Sequence, residues 1–474
     1  MQPHALLVPY PETGHINPLM QLAIHLASNG VCVTFVNTSY NHQRILQSNA
    51  GRLPSDLGLP IRLVDVPDCL SENDNRDHDL NNLTKVIANV GHPLEELMDK
   101  MSAAGERITC IISDIAATQT SEIAKKRGIP RVAFWPPNAS VYSCFCHAIH
   151  AISEGTFPKN GIVRHDEMIS FPALPSLPGW KVPWMIGDEA TANLIFSTGS
   201  EGVAGAVDAE WILINSVHEL EADVLDAIAP HFGHLLPIGP ILPLDVLPTA
   251  LTTEKLMTVS LWPEDDACLE WLNAQKPRSV LYVSLGSIAI LSKEQLHEVA
   301  IGLEASGLSI LWVVRDDLTG IKGASLPQGF LDRTQNRIRV VSWCPQLLVL
   351  SHEAVGGFLT HGGWNSSMEA LSMGVPMLVW PHLGDQFLNA EFIVAKWGVG
   401  LELSHGGTKD FIGSKRIESM VRKFMGSHEG EVVRAKAKEM RQQILKVVAK
   451  GGSSNNNLQS FVTWVKHQAE LRQP

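Results

Sequence analysis

Val355-Gly356-Gly357-Phe358-Leu359-Thr360-His361-Gly362-Gly363-Trp364-Asn365-Ser366-Ser367-Met368-Glu369 decides the fold. The apolar run (Val355, Phe358, Leu359) reads as a strand entering a glycine-rich loop. Ser366 and Glu369 then have the capping-box spacing of a new helix. A strand, a loop of small residues and a helix N-terminus make an anion site. The first-turn amides of a helix lack intrahelical acceptors, and the macrodipole adds about half a positive charge there. A second buried run, Val375-Pro376-Met377-Leu378-Val379-Trp380, ends in Pro381-His382-Leu383-Gly384-Asp385-Gln386. Polar groups just past a parallel strand's carboxyl end face the ligand crevice. An anion cradle, two indoles and an Asp-Gln pair suited to hydroxyl groups together describe a nucleotide-sugar site. Read more plainly, Glu369 only closes the capping box, and Trp343 and Trp380 are core. His361 resists such a reading, because a core histidine seldom needs permissive glycine backbone beside it.

The alternation of buried strand and helix continues outward in both directions. Toward the N-terminus, strands are predicted at Ala5–Val8, Val31–Val36, Ile61–Val66, Ile108–Ser113 and Val132–Trp135, with Trp211–Asn215 closing that sheet. Between them, helices are predicted at Pro18–Ala27, with Pro18 in the first helical position, at Leu83–Met101 and at Ser121–Arg127. Ser71–Leu80 reads as a polar loop. The stretch 155–205, with Trp180, Trp184, Met185 and several prolines, reads as helices and loops walling an apolar pocket. Pro237-Ile238-Gly239-Pro240-Ile241 opens a linker. A second domain follows, with a helix through Cys268–Leu272 and a strand at Val280–Ser284. A helix carries Leu296, Ala300 and Leu303, and strands are predicted at Ile310–Val314 and Ile338–Val341. After Gln386 the pattern gives way to helices at Asn389–Lys396, Ser414–Met425, Glu429–Lys450 and, beyond Gly451-Gly452-Ser453-Ser454, Asn456–Arg472. The alternation predicts an α/β protein of two similar halves, 1–240 and 265–450, with a linker at 241–264 and a terminal helical segment at 451–474.

Composition narrows the partners. The 474 residues suffice for two or three domains with ample core, and apolar residues make up 45%. A net charge of −12 argues against nucleic acid or an anionic membrane as the main partner. Seven cysteines, an odd number without a C-x-x-C pair, suit reduced thiols in the cytoplasm rather than a disulfide framework or a zinc site. Ala5-Leu6-Leu7-Val8 is too short for a signal core and lacks a basic lead-in, and nowhere do about 20 apolar residues run together. The expectation is a monomer with no membrane span.

Trp343-Cys344-Pro345-Gln346, His361-Gly362-Gly363-Trp364-Asn365-Ser366 and Asp385-Gln386, at their full spacing, closely resemble the donor-binding signature of plant family 1 UDP-dependent glycosyltransferases. The likeness extends to Gly14-His15, Asn215 with Glu219-Leu220-Glu221, Ile238-Gly239-Pro240 and Ser284-Leu285-Gly286-Ser287. It departs at Gly362, where Cys is common, at Cys344, where Ala is common, and at Leu383, where an aromatic is frequent. The resemblance implies a GT-B fold, with two Rossmann-like domains facing a central cleft and a last helix that returns to the N-terminal domain. It also implies that Trp343 stacks on uracil, and that Gln346 and Glu369 bond the ribose. His361, Asn365 and Ser366 would hold the diphosphate, and Trp364, Asp385 and Gln386 the sugar. Ser287, Cys344 and Gly363 complete the donor-binding set. The expected co-substrate is UDP-glucose, with no separate cofactor, and Gln386 is the residue that goes with glucose.

Transfer to a hydroxyl also needs a base for its proton and a stabiliser for the departing diphosphate. His15 follows the first strand in the turn Gly14-His15-Ile16-Asn17-Pro18, and Asp114 ends the strand Ile108–Ser113, so both fall on the carboxyl edge of the sheet. A carboxylate on one ring nitrogen fixes the tautomer and stabilises the imidazolium formed when the other accepts a proton. The resemblance assigns a catalytic dyad to these two positions. The expected activity is inverting transfer of glucose to a small lipophilic acceptor, giving a β-glucoside. Phenolic or flavonoid, terpenoid and hormone acceptors all stay open, as does C- rather than O-transfer. A non-catalytic UDP-sugar or small-molecule binding protein and an epimerase of the same architecture are the rival readings. No G-x-G-x-x-G after a strand supports a dehydrogenase, and no G-x-S-x-G supports an α/β-hydrolase. Asp77-His78-Asp79 has the D-x-D form of a metal site but lies in a polar loop, so it reads as surface, and no metal is expected. His147 and His150, one helical turn apart, are either acceptor-pocket lining or ordinary core and surface.

Overall fold

Buried apolar runs build two parallel sheets. The computed structural model describes residues 2–49, 53–56, 58–71, 74–76, 79–231, 234–243, 259–315, 326–404 and 410–472. The chain divides into two units: Met1–Thr249 with Lys255–Trp262 and Val447–Pro474, and Ala250–Glu254 with Pro263–Lys446.

In the first unit the strands are β1 (His4–Val8), β2 (Cys32–Thr38), β3 (Ile61–Val66), β4 (Cys110–Asp114) and β5 (Arg131–Trp135), then β8 (Trp211–Ile214) and β9 (Leu235–Pro237). A separate antiparallel pair, β6 (Met168–Ile169) and β7 (Leu177–Pro178), stands apart from this sheet. The large sheet is parallel, in the order β3-β2-β1-β4-β5-β8-β9, so it winds one way from β1 and the other way from β4. One face carries Leu19, Leu22, Ala23 and Leu26 of the helix Thr13–Ser28, together with Phe461, Val462 and Val465 of the terminal helix Ser453–Leu471. The other carries Leu83, Ile87, Leu94 and Met98. The terminal helix is tied to the edge strand by Asn457 Nδ2, which donates to the Pro237 carbonyl at 2.8 Å. A covered edge cannot template further strand pairing.

In the second unit β10 (Val280–Ser284), β11 (Ser309–Val313), β12 (Ile338–Val341), β13 (Val355–Thr360), β14 (Met377–Val379) and β15 (Gly400–Glu402) form a parallel sheet, ordered β12-β11-β10-β13-β14-β15. Its order reverses between β10 and β13. Among the described residues no helix is long and apolar enough to cross a membrane.

Several predicted boundaries move for identifiable reasons. The first helix begins at Thr13, so Pro18 lies inside it and His15 sits in its first turn rather than in a preceding loop. The proline removes only a bond to the turn that carries Gly14, at the very start of the helix. The long helix predicted over Leu83–Met101 is two helices, Leu80–Ala88 and Gly91–Ala103. Pro93 forces the break, since its ring would clash with the Asn89 carbonyl in a continuous helix. Trp211–Asn215 does not close the first sheet, because β9 pairs outside β8. Strand character also returns after Gln386, in β15; three residues are too few for a period to register. Asp79 caps the helix Leu80–Ala88, accepting from the amides of Asn81 and Asn82 at 3.0 and 3.1 Å. Asp77 and His78 lie outside the described residues.

Within the stretch 155–205, aromatic rings pack on one another. Trp184 is fully buried and donates to the Gly161 carbonyl at 2.8 Å. Phe145 and Phe196 lie 4.9 and 4.8 Å from its ring. Gly199 is required beside them, since a Cβ there would fall 2.4 Å from Phe145. His150 is exposed and pairs with Glu154 at 3.2 Å.

One buried carboxylate organises the helix Ala139–Ser153. Glu221 is fully buried, and it accepts from the Ala139 and Ser140 amides, both at 3.0 Å, and from the Ser140 and Ser216 hydroxyls. An anion at a helix N-terminus is favoured by the unpaired first-turn donors and the macrodipole. Burial pushes its pKa up against the lowering effect of those bonds. Replacing Glu221 with Ala leaves these donors without the carboxylate and should lower unfolding stability by about 3–5 kcal/mol. Urea denaturation measures it; a loss below about 1 kcal/mol would mean that the carboxylate is not the anchor of this helix.

Candidate active site

The reversal in the first sheet places the two expected catalytic residues together. Val8 at the end of β1 pairs with Ser113, so Asp114 lies one residue beyond, at the carboxyl end of β4. His15 Nδ1 meets Asp114 Oδ2 at 2.6 Å; the His15 side chain is 31% exposed and that of Asp114 1%. Asp114 Oδ1 accepts from the Ala116 amide at 3.0 Å, which fixes the carboxylate plane. The Tyr10 ring lies 5.0 Å from the His15 imidazole. Behind the dyad is Arg131, whose Nε donates to Thr120 Oγ1 at 3.0 Å and Ser113 Oγ at 3.3 Å. Burial lowers its pKa to about 10, and Asp114 is the first of the anions that hold it up.

The second unit assembles the donor-set residues around the β10/β13 reversal. After β10 the chain turns through Gly286 and Ser287, and after β13 through His361, Gly362 and Gly363. The His361 imidazole lies between two glycines. A Cβ on Gly286 would fall 2.5 Å from its Nε2, and one on Gly363 2.4 Å from the same atom. Burial is the first cause, then the neighbouring His382 and Arg315, that lower the His361 pKa to about 3. The ring is therefore neutral at neutral pH. Gly363 is the N-cap of the helix Trp364–Met373, so the amides of Trp364, Asn365 and Ser366 form its first turn and point outward past its N-terminus.

This corrects the capping box. Ser366 and Glu369 both lie within the helix, which starts before them, and no side chain caps it. Glu369 instead bonds Gln346, the first residue of the helix Gln346–Ser351. Gln346 Nε2 donates to Glu369 Oε2 at 2.7 Å and to Ser366 Oγ at 2.9 Å. Burial raises the Glu369 pKa to about 7. Trp343, three residues before Gln346, is half-buried, and its carbonyl accepts from the Asp265 amide at 3.0 Å. Cys344 is buried, with its thiol 3.4 Å from the Tyr282 hydroxyl.

Two of the expected sugar residues are buried. Trp364 is 4% exposed and its ring lies 6.2 Å from that of Trp397, so its indole packs into the core. Gln386 is also buried, and its Oε1 accepts from the backbone amides of His382 and Leu383 at 2.8 and 3.2 Å. Both lone pairs of that oxygen are engaged in holding the loop. Asp385 Oδ2 accepts from Asn389 Nδ2 at 2.9 Å, and Asn389 also donates to the Gly362 carbonyl at 2.8 Å.

Asn389 was missed in the sequence, although its position four residues after Asp385 on a helix was a usable signal. Arg315 was missed too: its guanidinium donates to the carbonyls of Gly286 and Ala289 at 2.8 and 2.9 Å, and so fixes the loop carrying Ser287. Among the described residues no group of three or more His, Cys, Asp or Glu side chains is placed to hold a metal ion.

Residues 4–243 match the profile described as the glycosyltransferase N-terminal domain, and residues 241–414 match that of UDP-glucoronosyl and UDP-glucosyl transferases. UDP-glycosyltransferase 85A1 of Arabidopsis thaliana is 36% identical, over 98% of this chain and 96% of its own length. The 7-deoxyloganetin glucosyltransferase of Catharanthus roseus is 33% identical, over 98% and 97%. Among solved structures, Os79 from O. sativa in complex with UDP superposes with a TM-score of 0.81 at 26% identity, covering 97% of this chain and 100% of that one.

His382 supplies a pH test of the donor loop. Its pKa falls from 6.5 to about 4 through burial, and its ring lies 4.6 Å from Trp380. The unfolded chain then binds the proton more readily than the folded one between pH 6.5 and 4, so the contribution is complete above 6.5 and is lost as pH falls through that window. His382→Gln should remove up to about 3 kcal/mol of the stability lost between pH 7 and pH 4. Denaturant titrations at both values, compared with the parent, measure this; identical pH dependence in the two proteins would contradict it.

Proposed function

Because the chain belongs to the plant family 1 UDP-dependent glycosyltransferases, enzymes of GT-B fold, we propose that it transfers glucose from UDP-glucose to a hydroxyl of a small lipophilic acceptor with inversion, giving a β-glucoside. The observation that carries this reading is the 2.6 Å contact between His15 Nδ1 and Asp114. With Nδ1 engaged, Nε2 takes the acceptor proton. The oxygen so freed attacks the anomeric carbon from the face opposite the diphosphate, the carbon–oxygen bond to UDP breaks, and Asp114 stabilises the imidazolium. A side chain 31% exposed can meet an acceptor and still be oriented by a buried partner.

On the donor side, Trp343 stacks on the uracil, held there with Cys344, and Glu369 with Gln346 reads the ribose. The diphosphate lies against the first turn at Trp364, Asn365 and Ser366, with His361, Gly363 and Ser287. Charge that develops on the leaving group meets fixed amide dipoles and a neutral imidazole N–H. Asp385 and the Gln386 Nε2 bond the sugar hydroxyls. Glucose is further supported by the relative that acts as a glucosyltransferase. This reading requires no separate cofactor, metal or second subunit. All seven cysteines are free thiols, which supports a cytoplasmic setting.

Incubation with UDP-glucose and a pool of hydroxylated lipophilic compounds should release UDP only when acceptor is present, with hexosylated product found by mass. The same turnover should persist in EDTA. UDP release that requires added Mg²⁺ or Mn²⁺ would overturn the cation-free reading, and no release with any acceptor would favour a binding protein.

His15→Ala should lower kcat/KM by about 10²–10⁴-fold on an acceptor of ordinary phenol acidity. UDP affinity, measured by calorimetry, should stay within about twofold, since the donor groups are on the other unit. Near-parental turnover would remove His15 as the base.

A further inference from the structure

Beneath the ribose-reading pair lies a phenol that the reaction does not use. Tyr282 is the central residue of β10, 1% exposed, and pairs in register with Phe358 of β13; their rings stack at 4.8 Å and 20°. A phenylalanine would fill that volume without bringing a polar atom into the core, and a buried hydroxyl is tolerated only with partners. The Tyr282 hydroxyl donates to Gln346 Oε1 at 3.1 Å and also lies beside the Cys344 thiol.

Gln346 is held at both ends of its amide. Its oxygen accepts from the phenol, and its two N–H groups go to Ser366 Oγ and Glu369 Oε2. With the phenol donating to its oxygen and its nitrogen donating to Glu369 and Ser366, the amide has one orientation that meets these partners. Without the phenol, the oxygen of the half-buried Gln346 loses that donor, and the side chain gains by swinging toward another donor and away from Glu369. By donating to its Oε2, Gln346 also opposes the burial-driven rise in the proton affinity of Glu369. A strand, the start of one helix and the first turns of another are thus joined through a single amide.

We propose that Tyr282 is a positioning residue for nucleotide recognition: its hydroxyl pins Gln346, and Gln346 aims the Glu369 carboxylate at the vicinal diol of a ribose. The proposal rests on the reading of this site as one for a uridine diphosphate sugar. It reassigns Gln346 from direct ligand to orienter, and leaves Glu369 as the group that distinguishes a ribose from a sugar lacking its hydroxyls. Tyr282 itself touches no substrate.

The test is calorimetric binding of UDP and of 2′,3′-dideoxy-UDP to the full chain and to Tyr282→Phe, with thermal melting as a check on folding. The parent should prefer UDP by about tenfold or more, the value of one or two hydrogen bonds to a charged group. In Tyr282→Phe that preference should shrink about fivefold, through weaker UDP binding, with dideoxy-UDP affinity unchanged. In a Gln346→Ala background the second substitution should have no further effect on the preference. Gln346→Asn, too short to span the phenol and the carboxylate, is the second probe if the Phe variant does not fold, and it should lose the same preference. An unchanged preference in either variant overturns the proposal, and so does an equal loss for both ligands, which would mark a packing defect. A parent that binds both ligands alike sinks the ribose reading beneath the proposal as well.

Discussion

Reversal of strand order is the constraint from which the chemistry of both units follows. Where a parallel sheet winds one way from one strand and the other way from its neighbour, the crossover helices leave on opposite faces, and the two carboxyl ends stay open between them. In the first unit these ends belong to β1 and β4, and they deliver His15 and Asp114 to a common contact. In the second they belong to β10 and β13, and they deliver the Gly286-Ser287 turn and the His361-Gly362-Gly363 loop. Neither constellation needs local sequence proximity. His15 and Asp114 are 99 residues apart, and the geometry of the sheet alone brings them together.

The loops of the second unit hold one another. Arg315 fixes the turn after β10 through the Gly286 and Ala289 carbonyls, and Gly286 in turn leaves room for the His361 ring. Asn389 links the Gly362 carbonyl to Asp385, and Gln386 closes the loop before it through the amides of His382 and Leu383. Each of these side chains uses part of its hydrogen-bonding capacity inside the protein, and what remains is directed. This preorganisation means that few groups need to move when charge develops on a leaving diphosphate. It also explains why glycine stands at positions 286 and 363, where any Cβ would displace the imidazole.

How much of this was legible in the sequence depended on the range of the interaction. Parallel strands buried on both faces leave continuous apolar runs, so Ala5–Val8, Val280–Ser284 and Val355–Thr360 could be read directly. The strand–loop–helix at His361 to Glu369 was equally plain, because glycine, helix start and anion affinity are local properties. The capping box failed because the helix begins at Trp364, and the partner of Glu369 comes from a helix 23 residues earlier in the chain. The oxygen of Gln386 gave no sign that two backbone amides already held it, and Tyr282 looked like any aromatic in a buried strand. Long-range hydrogen bonds have no period, and a three-residue strand such as β15 has too little of one.

The two units apply opposite electrostatics to a histidine that follows a strand at the point of reversal. A residue that must take up a proton needs a nearby anion and some exposure, and His15 has a buried carboxylate at 2.6 Å and a side chain 31% open. A residue that is to face a diphosphate must not bury a charge while the site is empty, since an unpaired buried cation is costly. His361 meets that condition by enclosure between two glycines, which brings its pKa to about 3 and keeps the ring neutral. A neutral ring still donates one N–H, and the helix N-terminus supplies the positive potential without any ionised group. Stability in the unliganded chain and affinity for an anion are therefore compatible in the second unit, whereas an ionised histidine at the same position would set one against the other.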